Sequence, residues 1–207
     1  MKRKNILLAG ILLLFASPVA VAQNASQLIK EAVKTIRDPK NAEMTFSYAF
    51  RSNGADPATK KEGKAYLQGD AYKIIMDEQE TISNGKTIWT YLVEDGEVMV
   101  SDASEGSDNT PVKIITSLDK NYTAKLISTD SQGRTIIELT ASEGLYKKAT
   151  ATIDAKKKEL KSMTIHADDG SMVDIIISEW KFNQNWPDDF FTFDEKAHPD
   201  VEVIDMR

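Results

Sequence analysis

The chain has 207 residues and no cysteine, with 26 Lys and Arg against 32 Asp and Glu. The absence of cysteine excludes disulfide scaffolds and thiolate zinc sites, so a folded domain must rely on packing. The acidic balance argues against nucleic-acid binding, because negative charge on a protein repels the phosphate backbone.

The N-terminus has the pattern of an export signal. Basic residues Lys2 to Lys4 precede the apolar run Ile6 to Ala16, and Ala20 to Ala22 supply a small-x-small cleavage pattern. The apolar run is shorter than the roughly 20 residues that span a bilayer. We therefore predict a signal peptide over residues 1–22, cleaved after Ala22, and a single domain over residues 23–207. Without the three signal cations the balance is 23 basic against 32 acidic residues, or −9.

The first predicted elements are a helix and a strand. From Ala25 to Arg37, apolar residues recur at the spacing that places them on one face of a helix, and Asp38-Pro39 ends the pattern. From Met44 to Phe50, large apolar residues alternate with small or polar ones, which is typical of a strand with one buried face.

The stretch from Glu62 to Val100 is predicted to be an antiparallel meander. Its breaks are Gly69-Asp70, Asn84-Gly85 and Asp95-Gly96, and Asn-Gly and Asp-Gly pairs are strong hairpin signals. The strand around Trp89 is apolar on both of its faces, as expected for a strand that is covered on both sides or that holds an apolar ligand on one.

The second half is predicted to contain one short helix and a further meander. Thr110 and Pro111 open the helix, which continues from Val112 to Leu118, because threonine caps helices and proline suits their first position. Five strands follow: Tyr122 to Thr129, Arg134 to Ala141, Ala149 to Asp154, Glu159 to His166 and Met172 to Phe182. The aromatic segment Asp189 to Phe193 is predicted to dock back on the sheet.

These elements predict a mainly β protein with about ten or eleven antiparallel strands. A sheet of that size curls or closes rather than staying flat. Two short helices cover only one face of it, the concave one. An apolar pocket is therefore predicted between the helices and the sheet.

Catalytic signals are sparse. The two histidines, His166 and His198, have no partner motif, and no nucleophile elbow, phosphate loop or His-Glu-x-x-His pair occurs. The adjacent carboxylates fall at predicted turns, where Asp favours local backbone hydrogen bonds. We predict no catalytic residue, metal or cofactor. Periodicity leaves open whether the large apolar residues form an ordinary core or line a cavity for acyl chains.

Four short strings resemble the LolA family of periplasmic lipoprotein carriers. Ile82 to Tyr91 (ISNGKTIWTY) resembles the family's V-S-D-G-K-T-L-W-x-Y signature, and Gly63 to Leu67 resembles the strand before it. Asn109-Thr110-Pro111 resembles the N-T-P opening of the central helix. Phe191 to Phe193, followed by Pro199 to Asp205, resembles the family's F-x-F and P-x-G-V-x-V-x-D ending. The strings occur in family order over nearly the whole predicted mature chain.

The resemblance implies an incomplete β-barrel with a helical lid over an apolar cavity, in a monomeric periplasmic protein. Such carriers take acylated lipoproteins from an inner-membrane ABC exporter and deliver them to an outer-membrane acceptor, without a cofactor. The residues predicted to line the acyl-chain cavity are Phe46, Tyr48, Phe50, Leu67, Ile74, Met76, Trp89, Tyr91, Ile114, Ile115 and Leu118.

One departure concerns the lid. Family members commonly have a K-R-P turn whose arginine bonds to the lid backbone, whereas this chain has Leu67-Gln68-Gly69-Asp70. Gln68 can donate a hydrogen bond there but carries no charge. Two alternatives remain open at this point: a module of the same fold that binds another lipid or a signalling peptide, and an envelope hydrolase.

Overall fold

A computed structural model describes residues 18–52, 60–104, 110–143 and 146–207, with side chains from residue 24 onward. The basic start and the apolar run of the predicted signal lie outside the described residues, as does Asn109 of the N-T-P string. The described chain forms two helices and one sheet of twelve strands.

The helices are α1 (Pro18–Arg37) and α2 (Pro111–Asn121). The strands are β1 (Ala42–Arg51), β2 (Lys61–Gln68), β3 (Ala71–Met76), β4 (Gln79–Ser83), β5 (Thr87–Leu92), β6 (Glu97–Asp102), β7 (Thr123–Thr129), β8 (Arg134–Thr140), β9 (Lys148–Asp154), β10 (Glu159–His166), β11 (Met172–Phe182) and β12 (Glu202–Asp205).

The sheet is open, and its order is β12-β6-β5-β4-β3-β2-β1-β11-β10-β9-β8-β7. Neighbouring strands are antiparallel, except that β12 pairs with β6 in parallel. The mainly β, open architecture is confirmed, but the strand count is twelve rather than ten or eleven. The prediction missed the turn at Asp77 and Glu78, which separates β3 from β4, and it missed β12.

Each of the three predicted meander turns contains a glycine with positive φ: Gly69 (59°), Gly85 (86°) and Gly96 (65°). Asn84 acts differently, since its side-chain oxygen accepts from the backbone N–H groups of Lys86 and Thr87, both at 2.9 Å. An asparagine side chain that accepts from nearby backbone N–H groups stabilises a tight turn without itself adopting positive φ.

Both helices were predicted, and α1 is longer than expected because it begins at Pro18 rather than Ala25. In α2, Thr110 is the N-cap and its hydroxyl accepts from the N–H of Lys113 at 3.3 Å. Neither helix of the described chain is long and apolar enough to cross a membrane.

The sheet has an inner face, which packs against α1 and α2, and an outer face. The inner face and the helices share the main core, in which Met44 and Phe46 of β1 are each no more than 2% exposed. A smaller core lies on the outer face around Ile82 and Val98.

The C-terminal segment after β11 covers part of the outer face, which confirms the predicted docking. The ring of Tyr66 on β2 lies 5.6 Å from the ring of Trp186 and 5.1 Å from that of Phe190. Farther along, Phe193 packs against Tyr91 of β5 at 5.5 Å. The segment thus crosses from β2 to β5 before it forms β12 at the edge of the sheet.

Candidate functional site

The strand register assigns side chains to the inner face row by row. In one row, Phe46 of β1 lies opposite Gly63 of β2, and Gly63 lies opposite Met76 of β3. The row continues through β4 to Leu92 of β5. The next row joins Ile74 of β3 through β4 to Thr90 of β5 and Met99 of β6. In these two rows the inner face is therefore apolar on β1 to β3, whereas β4 to β6 add Gln79, Thr81, Thr90 and Glu97 to it.

Part of this face, the covered region, is closed by the helices. Six predicted cavity residues lie in it, and each is 8% exposed or less: Phe46, Leu67, Ile74, Ile114, Ile115 and Leu118. Where α1 and α2 meet the sheet over Ile153 and Leu160, the remaining space admits no water-sized sphere. The structure therefore has the lid closed over a packed core.

Another part, the open region, stays partly exposed on β1 to β6. Phe50 near the end of β1 is 51% exposed, and Tyr48 and Met76 are partly buried against the core. Burial raises the pKa of the Tyr48 hydroxyl, because a partly buried site disfavours the charged phenolate. Thr90, Leu92 and Met99, which the sequence analysis did not select, are also only partly buried on this face.

Trp89 and Tyr91 lie on the outer face, so their predicted position beneath the helices is wrong. Trp89 pairs with Ile82, and both belong to the outer core together with Phe193. The physical reason is register: Ser83 and Ile88 pair across the hairpin, which turns Ile88, Thr90 and Leu92 inward. Because β5 is apolar on both faces, the alternation could not distinguish its sides, and the missed turn at Asp77 and Glu78 shifts any count from Tyr72 by one residue.

The two helices are attached to the protein in different ways. In α1, the Thr35 hydroxyl donates to the carbonyl of Lys158 at 3.1 Å, and Glu31 pairs with the Lys158 ammonium at 2.7 Å. Within the described chain, no side-chain hydrogen bond joins α2 to a strand. Apolar packing thus dominates the contact of α2 with the sheet.

An arginine from α1 makes the polar contacts with α2. Arg37 pairs with Asp119 at 2.5 Å and donates to the backbone carbonyl of Thr116 at 3.4 Å. Gln68, which stands near the position of the family's basic lid residue, instead accepts from the Asn41 carboxamide at 3.4 Å. The contact to the lid backbone therefore comes from α1 and not from the turn between β2 and β3.

The described residues include no group of three or more His, Asp or Glu side chains placed to hold a metal ion. The apolar inner face of the sheet lies against the apolar face of α2, whose buried residues are Val112, Ile114, Ile115 and Leu118.

A model of the family described as outer membrane lipoprotein carrier protein LolA matches residues 76–194, more than half of the chain. The chain belongs to the LolA family. It is 26% identical to an outer-membrane lipoprotein carrier protein of Haemophilus influenzae over 100% of this chain and 99% of that one.

Two solved structures resemble the fold of this LolA-family chain. An uncharacterised conserved protein from Thermus thermophilus superposes with a TM-score of 0.57 at 11% identity, covering 88% of this chain and 99% of that one. A LolA superfamily protein from Nitrosomonas europaea superposes with a TM-score of 0.45 at 12% identity, covering 82% and 97%. The first of these supports the fold alone.

Proposed function

We propose that this protein is a periplasmic carrier that takes acylated lipoproteins from an inner-membrane ABC exporter and passes them to an outer-membrane acceptor. The supporting observation is the inner face, which is apolar beneath α2 and partly exposed in the open region. Acyl chains enter at the open region, and α2 moves away from the sheet as they bind. Family membership and the name of the Haemophilus relative support lipoproteins as the cargo.

The energetics are compatible with a reversible lid. Four side chains of α2 are buried: Val112, Ile114, Ile115 and Leu118. Exposing a large aliphatic side chain costs about 1.5–3 kcal/mol, so lifting α2 costs about 6–12 kcal/mol. Burying ten methylenes of a lipid returns about 8 kcal/mol. The free-energy cost of lifting α2 and the free energy returned by the lipid are similar, so the closed empty state and the open loaded state differ little in free energy.

The carrier role is tested with inner membranes that hold radiolabelled lipoproteins and an active exporter. The purified protein is added, and we expect labelled lipoprotein to appear in the soluble fraction in complex with it. A soluble fraction without label, while the exporter hydrolyses ATP and an authentic carrier releases cargo, would overturn the proposal. Native mass spectrometry of the complex then identifies the cargo by its mass.

The binding face is tested by photo-crosslinking with two matched positions. Phe50 is 51% exposed on the inner face, and Ile176 is 42% exposed on the outer face of neighbouring strand β11. A photoreactive phenylalanine analogue at residue 50 is expected to label lipoprotein acyl chains, and one at residue 176 is not. Equal labelling at both positions would show that the inner face is not the binding surface.

A further inference from the structure

A cleft separates α2 from the turn between β2 and β3. Its volume is about 270 Å³ and it is open on one side. Its walls come from one face of α2 and from the backbone of Gly69 to Ala71, and the end of α1 closes it. Because this turn contributes only Gly69, Asp70 and Ala71 to the lining, no large side chain from the turn fills the space.

The cleft is cationic although the protein is acidic. Arg37, Lys113 and Lys120 line it, and Asp70 is the one carboxylate among its lining residues. Arg37 is already paired with Asp119, but neither lysine takes part in an ion pair with any described residue. The Lys113 ammonium lies 5.9 Å from the centroid of the Tyr72 ring, so this side chain is folded against the sheet. Two cations that lack a carboxylate partner therefore converge on one cleft.

The floor of the cleft is part of the acyl-binding layer. Leu67 and Tyr72 are inner-face residues of the main core, and Val112 is the first buried residue of α2. The cationic rim and the apolar layer beneath α2 are thus continuous. A ligand that suits both must have an anionic group joined to an alkyl chain.

We infer that this cleft is a headgroup site for anionic single-chain amphiphiles, with the anion between Lys113 and Lys120 and the chain running over Leu67 and Tyr72 beneath α2. The inference rests on the proposed function in taking the layer under α2 as space for acyl chains. The cleft itself is slightly smaller than typical small-molecule pockets of about 300–1,000 Å³. It holds a headgroup and the first methylenes, and the remaining chain displaces α2.

The test compares three ligands with the same twelve-carbon chain by calorimetry below their micelle concentrations. Dodecanoate and dodecyl phosphate are expected to bind at least tenfold more tightly than neutral dodecyl maltoside. Tighter binding of either anion than of dodecyl maltoside supports the inference. The anion that binds more tightly indicates whether the natural ligand is a fatty acid or a phosphate ester. Shortening the anionic ligands by two methylenes is expected to weaken binding by about tenfold.

A charge-matched pair of variants assigns the preference to the cleft. Lys113→Gln/Lys120→Gln is expected to lose the tenfold advantage of the anions and to keep the affinity for dodecyl maltoside. The control is Lys30→Gln/Lys64→Gln, which removes two exposed cations that pair with no described carboxylate. This control is expected to bind as the unmodified protein does.

Several outcomes would overturn the inference. They are equal affinity for all three ligands, no binding of any of them, equal effects of the two double variants, and binding of inorganic phosphate as tight as that of dodecyl phosphate. These outcomes are independent of lipoprotein release from membranes. A protein that releases lipoproteins but shows no headgroup preference loses this inference alone.

Discussion

Arg37 at the end of α1 pairs with Asp119 of α2, and the two residues are 82 positions apart in the chain. The Asp119 side chain is only 11% exposed; its Oδ2 atom pairs with Arg37, and its buried Oδ1 atom has no hydrogen-bond partner among the described residues. The same guanidinium reaches the carbonyl of Thr116. The end of α1 therefore holds α2 in its closed position.

Removing this arginine is expected to loosen the lid. Arg37→Ala leaves a largely buried carboxylate without its cation, which we expect to cost about 1–2 kcal/mol after allowance for the one-third exposure of Arg37. Hydrogen exchange should become faster in α2 while the exchange of β9 and β10 stays unchanged. Lys34→Ala is the control, because Lys34 pairs with Asp38 at 3.7 Å and both side chains are more than half exposed. Unchanged exchange in α2 would contradict a holding role for Arg37.

Gly63 allows Phe46 to lie flat across β2. A Cβ atom at residue 63 would come within 2.6 Å of the Phe46 ring and 3.2 Å of the Ile75 carbonyl. Since Phe46 is 2% exposed, its ring has little room to move. Gly63→Ala is therefore expected to lower the free energy of unfolding by about 1–3 kcal/mol, measured by urea denaturation.

A double-mutant cycle isolates this contact. Phe46→Leu removes the ring atoms that the added methyl group would strike, so Gly63→Ala should cost clearly less in the Phe46→Leu background than in the native one. Additive effects of the two substitutions would show that the cost of Gly63→Ala arises from the backbone and not from the ring.

Most of the strands and turns were readable from the sequence because their signals are local, although the turn at Asp77 and Glu78 was not recognised. The alternation from Met44 to Phe50 and the glycines of the hairpin turns act within a few residues. β12 was not found because a short parallel edge strand depends on its partner β6, about 100 residues earlier, rather than on its own alternation.

The site was harder to predict because it depends on faces and on contacts that are distant in sequence. Alternation placed Phe50 and Met76 on the face that the strand register assigns to the inner side of the sheet. Trp89 and Tyr91 were placed on the wrong face, since both sides of β5 are apolar and a shift of one residue exchanges them. The Arg37–Asp119 pair leaves no sequence signal, because surface helices commonly contain both residue types.

Adjacent residues on β5 provide a direct test of the two faces. Tyr91 contacts Phe193 and His198 of the C-terminal segment, whereas Leu92 lies on the inner face opposite Gln79. Tyr91→Ala should destabilise the protein by about 1–3 kcal/mol and expose the segment to proteolysis, without weakening the binding of an acyl probe. Leu92→Ala should weaken probe binding and leave the segment protected. The opposite pattern would mean that Tyr91 contacts the ligand.

The lowered pKa of His166 makes the stability of the protein dependent on pH. Burial, followed by the positive charges of Lys148 and Arg51, lowers its pKa below the usual 6.5, against the weaker opposing effect of Asp174 and Glu138. Its Nε2 atom is buried and accepts no hydrogen bond from any described residue. The folded state therefore favours the neutral imidazole.

The direction of the pH effect follows from that lowered pKa. Below pH 6.5 the unfolded chain takes up a proton on this imidazole before the folded protein does, so stability falls as the pH drops from 6.5 toward the folded pKa. Thermal unfolding at pH 7.5 and pH 5.5 should show a smaller loss of stability for His166→Gln than for the native protein. If His166→Gln loses as much as the native protein, the pH dependence comes from other groups. Lys148→Gln should also reduce the loss, because without that cation the folded imidazole accepts its proton at a higher pH.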